Sequence, residues 1–209
     1  MTTSNKPSVR MLLQHPAHFF ALGLGSGLAA KAPGTFGSLV GLPFFWLIAV
    51  YALSTQLIII AVLFLLGIYF CQVTGDALGV PDHGSIVWDE IVAMMLVLTV
   101  TPNEWQWTLT AFLLFRLFDI WKPYPIRQLD KRFKNGLGVM LDDLLAAVYA
   151  MLVLSALKHF IGSKSLSPQR RGGTEKIKSC VGRSSSYVIR FSLCLRVSVV
   201  KVLKWHCLI

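Results

Sequence analysis

Five apolar stretches, separated by short polar or Pro/Gly-containing breaks, run through the first 162 residues of this chain. Their lengths and spacing predict helices at roughly 38–53, 56–74, 86–100, 105–121 and 139–161. A polar start is expected before residue 17, and a glycine-rich segment at 17–37. Only 14% of all residues are charged, whereas a soluble domain usually carries about 25%. The sequence therefore predicts an all-α, multi-helix bundle, integral to a membrane or tightly associated with one.

The basic residues divide the chain into two unequal parts. Residues 1–162 hold ten Lys/Arg against nine Asp/Glu, a net charge of +1. Residues 163–209 hold ten Lys/Arg against Glu175 alone, a net charge of +9. We therefore predict a helical membrane domain at 1–162 and a basic tail at 163–209, disordered or aberrant, for example after a change of reading frame. The nearly neutral body argues against nucleic-acid binding, and the oligomeric state stays open.

The positions of the basic residues also predict an orientation in the membrane. Lys6, Arg10 and Lys31 precede the first predicted helix, and five more Lys/Arg lie at 122–134, whereas the turns at 54–56 and 101–106 have none. By the positive-inside rule, the start of the chain and the 122–134 loop are cytoplasmic. Alternating crossings then place 17–38, 75–90 and 119–143 on one side. Because the first two stretches have only about 15 to 18 apolar residues, below the ~20 that span a bilayer, the number of crossings stays open.

Most carboxylates of the first 162 residues fall in three polar clusters beside the apolar stretches, at 82–90, 116–130 and 142–143. Acidic groups next to hydrocarbon are costly and are usually kept for a site. Mg²⁺ prefers carboxylate oxygens, which makes it the expected cofactor. The alternative is that acids at helix starts only complement the helix dipole. The candidate metal ligands, one of which would act as general base, are Asp89, Glu90, Asp119, Asp142 and Asp143.

Cationic side chains accompany these acids in the second cluster. Arg116 and Asp119 are three residues apart on one helical face, and a buried ion pair there is expensive to keep for stability alone. Lys122 and Arg127 follow, with Asp130 among further basic residues. Cations beside carboxylates suit a phosphate-plus-metal site. The alternative is a cytoplasmic loop that fixes topology and contacts anionic headgroups.

Two further features are weaker candidates for substrate contacts. The glycine-rich segment 23–38, which contains Lys31, Thr35 and Ser38, could hold phosphate through backbone N–H groups and the two hydroxyls. The alternative is that its glycines only allow close helix packing. His83 could act as an acid or base, although a lone loop histidine is more often structural.

If the substrate is a phosphate ester, several mechanisms lack their residues. Cys71 has no Arg six positions on, so the cysteine-phosphatase loop is missing. The sequence also has no Asp-x-Asp-x-Thr/Val motif for a phospho-aspartate and no Arg-His-Gly motif for a phospho-histidine. What remains is carboxylate-bound Mg²⁺ with water as the nucleophile.

Across roughly 15–160 the chain resembles the phosphatidylglycerophosphatase A family, bacterial enzymes that remove the terminal phosphate of phosphatidylglycerophosphate. The matching stretches are Gly23–Gly27, Pro33-Gly34-Thr35-Phe36-Gly37-Ser38, Asp82-His83-Gly84-Ser85-Ile86-Val87-Trp88-Asp89-Glu90, Phe115-Arg116-Leu117-Phe118-Asp119-Ile120-Trp121-Lys122-Pro123-Tyr124-Pro125-Ile126 and Gly138-Val139-Met140-Leu141-Asp142-Asp143. The resemblance implies a Mg²⁺-dependent, multi-pass enzyme of the bacterial inner membrane. It would convert this phospholipid to phosphatidylglycerol and inorganic phosphate on the cytoplasmic side.

The resulting hypothesis gives each candidate a role. The five metal-ligand candidates hold Mg²⁺ and supply the base, while Lys122, Arg127 and Arg116 neutralise the phosphate. Lys31, Thr35, Ser38 and His83 contact the substrate, and Asp130 and Asp82 are second choices. Two competing hypotheses remain, a small membrane cation transporter that uses helix-end carboxylates and a structural membrane protein without chemistry.

Overall fold

The computed structural model describes residues 7–80, 82–124, 126, 128 and 135–164, with side chains as far as residue 160. Within these ranges the chain is helical and contains no strand, which confirms the predicted all-α bundle. Beyond residue 164, the basic tail lies outside the described residues. The helices are α1 (Val9–Gln14), α2 (Pro16–Ala21), a 3-10 helix (Gly23–Leu28), α3 (Pro33–Ile48), α4 (Leu53–Leu78), α5 (Trp88–Leu98), α6 (Trp105–Trp121) and α7 (Gly136–Lys164).

Helix α5 is the centre of the bundle, and nine of its eleven residues are buried. It packs against α3, α4, α6 and α7. Helix α3 approaches it through glycines, because a Cβ on Gly41 would lie 3.0 Å from the Ile91 carbonyl oxygen, and one on Gly37 would lie 2.7 Å from Val87 Cβ. Close helix packing, one of the two alternatives for these glycines, is therefore what Gly37 and Gly41 provide.

Two short helices, which the sequence analysis did not predict, lie in the polar start and the beginning of the glycine-rich segment. Ser8 caps α1 by accepting a hydrogen bond from the Met11 N–H (3.3 Å), and His15 Nδ1 accepts one from the Ala17 N–H (3.1 Å) at the start of α2. Pro16 occupies the first helical position, where its missing N–H costs nothing. The buried His18 is 2.9 Å from Thr74 Oγ1, which joins α2 to α4.

Several predicted helix limits are also wrong. Helix α3 begins at Pro33 instead of 38, and α4 continues to Leu78, where Gly79 ends it in a left-handed conformation at φ 76°. Helix α5 is shorter than predicted, because the Val87 N–H donates to the Ala21 carbonyl outside the helix. Helix α6 has the predicted limits.

Helix α7 begins at Gly136, three residues before the predicted start. The Gly136 N–H donates to Gln72 Oε1 of α4 (2.8 Å), and a Cβ there would lie 2.3 Å from the Ile68 carbonyl oxygen, so the new helix starts directly against α4. Asp142 and Asp143 therefore lie in the second turn of α7. The prediction that they open this helix is wrong. At 1.5 Å per residue this places them about 10 Å along the helix.

Two helices, Leu53–Leu78 and Gly136–Phe160, are long and apolar enough to cross a membrane. At 26 residues, α4 is longer than the apolar stretch of about 15 to 18 residues counted from the sequence. Only 22% of the most apolar window of α4 is buried in the bundle. Because a core helix of a soluble protein hides most of its apolar side chains, this exposure favours contact with lipid and supports membrane association. Helix α3 is apolar but shorter.

Candidate active site

Three carboxylates from α5 and α7 meet inside the bundle. Asp89 and Glu90 lie in the first turn of α5, and Asp143 lies on α7. One oxygen from each of the three lies within 4.8 Å of the other two. Asp89 is only 7% exposed and Asp143 only 4%. These three residues, called the carboxylate cluster below, come from two of the three acidic segments that were predicted to meet.

Two local hydrogen bonds hold the neighbouring acids in place. Asp89 Oδ1 accepts from the Glu90 N–H (3.0 Å), one of the free N–H groups of the first turn of α5. On α7, Asp142 Oδ1 accepts from the Asp143 N–H (3.1 Å). One oxygen of Asp89 and one of Asp142 are therefore held against the backbone of their own helices.

Helix α6 adds a guanidinium and a fourth carboxylate. Arg116 Nη1 lies 2.5 Å from Asp119 Oδ2 and 3.9 Å from Glu90 Oε1. The predicted Arg116–Asp119 ion pair is present, and its guanidinium also approaches Glu90 of α5.

Lys122, at the end of α6, pairs with the buried Asp142, and Lys122 Nζ lies 2.5 Å from Asp142 Oδ2. Lys122 is the C-cap residue of α6, directly before Pro123, and its backbone has φ 43°. A left-handed backbone is unfavourable for a residue with a Cβ and persists only where the surroundings impose it. This strained backbone conformation places the Lys122 ammonium beside Asp142, the neighbour of Asp143 in the chain.

The start of α3 closes another side of the site. A Cβ on Gly34 would lie 2.2 Å from Glu90 Oε1 and 3.1 Å from Arg116 Nη1, so any larger residue would displace the Glu90 carboxylate. Ala32, with φ 49°, precedes the helix and sets its direction. The sequence analysis assigned no role to Gly34. The glycine spacing at 34, 37 and 41, which marks one face of α3, was the available signal.

Burial makes the negative charges on α5 costly. Asp89 is 7% exposed, and the Glu90 side chain is 13% exposed. Carboxylates this close and this dry either retain protons or need a cation between them.

The donor set fits a hard divalent cation. Among the described residues, Glu90 Oε2 and Asp143 Oδ2 are buried and have no hydrogen-bond partner. Unpartnered buried carboxylate oxygens are rare in native proteins and require an explanation. Magnesium takes oxygen ligands from one or two carboxylates and keeps several waters, and it would satisfy both atoms.

Other predicted substrate contacts lie around the site. Lys31 is exposed before α3, and Thr35 is partly buried in its first turn. Ser38 is fully buried, and its hydroxyl donates to the Gly34 carbonyl (2.9 Å), so its proton is used within the helix. In the loop before α5, His83 Nδ1 accepts from the Ser85 N–H (3.2 Å). Asp82 is exposed in the same loop, and Arg127 and Asp130 lie outside the described residues.

Comparison with known proteins identifies the family of the chain. Residues 19–158 match the family model of Phosphatidylglycerophosphatase A. The chain belongs to the phosphatidylglycerophosphatase A family. The resemblance to this family and the class of the chain as a phosphatase, both predicted from the sequence, are confirmed. The matched range contains every described residue of the site above.

Individual members are closely similar over most of their length. A phosphatidylglycerophosphatase A of Haemophilus influenzae is 48% identical over 161 residues, covering 76% of this chain and 99% of the relative. One of Escherichia coli is 40% identical over 151 residues, covering 72% and 88%. A putative phosphatidylinositol-3-phosphatase of Bacteroides thetaiotaomicron is 36% identical over 148 residues, covering 67% and 92%. No solved structure matches the chain.

Proposed function

We propose that this chain hydrolyses the terminal phosphate monoester of phosphatidylglycerophosphate to phosphatidylglycerol and inorganic phosphate, and that the reaction depends on Mg²⁺. One observation carries the proposal. Glu90 and Asp143 each have a buried carboxylate oxygen without a partner among the described residues, and both belong to the carboxylate cluster beside the guanidinium of Arg116, in a member of a lipid phosphatase family.

The carboxylate cluster would hold the cation, with Asp142 and Asp119 adjoining it. When bound, Mg²⁺ neutralises developing charge on the phosphoryl oxygens and lowers the pKa of a bound water. Arg116 would hold the phosphate, because its buried Nε has no hydrogen-bond partner among the described residues. Asp119 fixes the direction of that guanidinium through the 2.5 Å ion pair. A preoriented donor of this kind stabilises a charge that grows in the transition state.

Lys122 supplies a second positive charge. Its Nζ is held by Asp142 on the α7 side, and its side chain is partly exposed (26%), so it can reach an anionic group that arrives from outside. Burial of the carboxylate cluster excludes bulk water, which strengthens each of these electrostatic contacts.

We further propose that the enzyme is a multi-pass protein of the bacterial inner membrane with its site facing the cytoplasm. The lengths of α4 and α7 and the cationic residues near the site support this orientation. Asp82→Cys and Glu104→Cys, which place thiols before and after α5, would test it. In intact spheroplasts an impermeant maleimide should label Glu104→Cys only, and labelling of Asp82→Cys alone would reverse the orientation.

The activity is tested by phosphate release from phosphatidylglycerophosphate in detergent micelles, with Mg²⁺ and after chelation. Glu90→Gln and Asp143→Asn should abolish release, while Glu104→Gln, the same type of change at an exposed position, should leave it intact. Phosphatidylinositol 3-phosphate is included as a second lipid because of the name of the Bacteroides relative. Full activity in Asp143→Asn, or activity that chelation leaves unchanged, would defeat the proposal. Cation flux in proteoliposomes without phosphate release would favour the transporter hypothesis.

A further inference from the structure

A cavity of about 220 Å³ lies between α4, α5 and α7. Nine of its ten lining side chains are apolar, and the tenth is the buried carboxylate of Asp89. Asp89 therefore belongs to both the carboxylate cluster and the cavity. The cavity therefore borders the candidate active site.

The cavity is elongated along the helices. On α5 its lining extends from Asp89 to Leu96, and on α4 from Leu57 to Phe64. Seven residues of helix correspond to about 10 Å. Leu57 and Ala61 are exposed, so the cavity opens at the surface of α4, the helix whose apolar surface is suited to lipid.

We propose that this cavity binds the first part of one acyl chain of the lipid substrate while the phosphate lies at the carboxylate cluster. The inference rests on the function proposed above. Apart from Asp89 the lining offers no side-chain hydrogen-bond partner, so a polar headgroup could not be satisfied there, whereas a hydrocarbon chain needs none. At ~30 Å³ for a water-sized group, the volume holds about seven such groups, a chain segment rather than a whole lipid.

The opening on α4 gives the acyl chain a route that does not leave the membrane. A lipid could move sideways from the bilayer past Leu57 and Ala61, with its headgroup following along the protein surface to the acids. The cavity would therefore act in substrate recognition and not in chemistry. Its loss should weaken catalysis only on substrates that carry long acyl chains.

Two substitutions that narrow the cavity test the proposal. Ala93→Leu fills it from the buried side on α5, and Ala61→Leu fills it from the exposed rim on α4, where folding is least at risk. Ala156→Leu, the same change at an exposed position of α7 outside the cavity, is the matched control. Each variant is assayed on long-chain phosphatidylglycerophosphate and on its deacylated, water-soluble headgroup.

Both cavity variants should lower kcat/KM for the long-chain lipid about tenfold or more, because a few misplaced methylene groups in an apolar pocket have effects of this size. Hydrolysis of the deacylated headgroup should stay at the wild-type rate in Ala61→Leu, and Ala156→Leu should resemble wild type on both substrates. An unchanged long-chain kcat/KM in Ala61→Leu, or an equal loss on both substrates in that variant, would overturn the proposal. If wild type hydrolyses neither substrate, the proposed function fails instead.

A binding measurement separates the two failures without requiring turnover. Phosphatidylglycerophosphate with a photoreactive group in one acyl chain is irradiated with the wild-type protein, and the labelled peptides are identified by mass spectrometry. Labelling should concentrate on 57–64 and 92–96, and Ala61→Leu should reduce it. Labelling spread over the exposed face of α6 and unaffected by Ala61→Leu would show that the lipid lies elsewhere.

Discussion

Gly34→Ala should remove most of the activity and leave the fold intact. A Cβ at this position would lie 2.2 Å from Glu90 Oε1, and ordinary contacts begin at 3.4 Å, so the Glu90 carboxylate must move by about 1.2 Å. That atom is the end of a flexible side chain, so the clash is relieved by rotating Glu90 away from the carboxylate cluster. Misplacement of a catalytic group by about 1 Å can cost ~10²-fold in rate. We therefore expect kcat to fall about a hundredfold.

The stability of Gly34→Ala should change little. Gly34 is buried in the first turn of α3 and its φ is not in the left-handed region, so alanine suits the backbone there and favours the helix by about 0.5–1 kcal/mol. The weakened contact of Glu90 with Arg116, 3.9 Å in the wild type, offsets part of that gain. The assay is phosphate release with thermal unfolding of the same preparation. Gly84→Ala is the control, because a Cβ there meets nothing within 4 Å. A Gly34→Ala enzyme with wild-type kcat would refute the idea that catalysis needs the Glu90 carboxylate in its position against Gly34 of α3.

Two further outcomes follow from the same contacts. Arg116→Lys should lower kcat/KM for phosphate release about 10²-fold despite the retained charge, because lysine has no Nε and no planar fork; wild-type kinetics would exclude Arg116 as a phosphate ligand. Lys122→Met removes the ammonium that pairs with the buried Asp142 and should lower the free energy of unfolding by about 1–3 kcal/mol in a denaturant titration, with partial recovery when Asp142→Asn is added.

The sequence predicted the elements whose ends carry strong breakers. Helix α6 has the expected limits because Pro102 precedes it and Lys122-Pro123 ends it. The start of α3 was missed because Pro33 and Gly34, assigned to the glycine-rich segment, form the first turn of the helix. The end of α4 was missed because the helix continues past Asp76 to Leu78, and Gly79 in a left-handed conformation stops it.

The sequence was enough to select the residues of the candidate site but not to predict the contacts among them. Acids beside apolar stretches indicated that Asp89, Glu90 and Asp143 would share one site, because buried charge without a purpose is costly. The pairing of Lys122 with Asp142 depends on a left-handed cap, and the contact of Gly34 with Glu90 depends on how closely α3 packs. Both contacts are consequences of tertiary packing, for which the glycine spacing on α3 was the available sequence signal. The roles assigned to the site residues stay predictions.

The central claim is that Asp89, Glu90 and Asp143 bind one divalent cation together. Mn²⁺, a paramagnetic substitute for Mg²⁺, can be titrated into the purified protein and followed by electron paramagnetic resonance. The account predicts a single bound Mn²⁺ in wild type and in Glu104→Gln, displaced by Mg²⁺ and absent in Asp143→Asn. Equal Mn²⁺ binding by wild type and Asp143→Asn would contradict it.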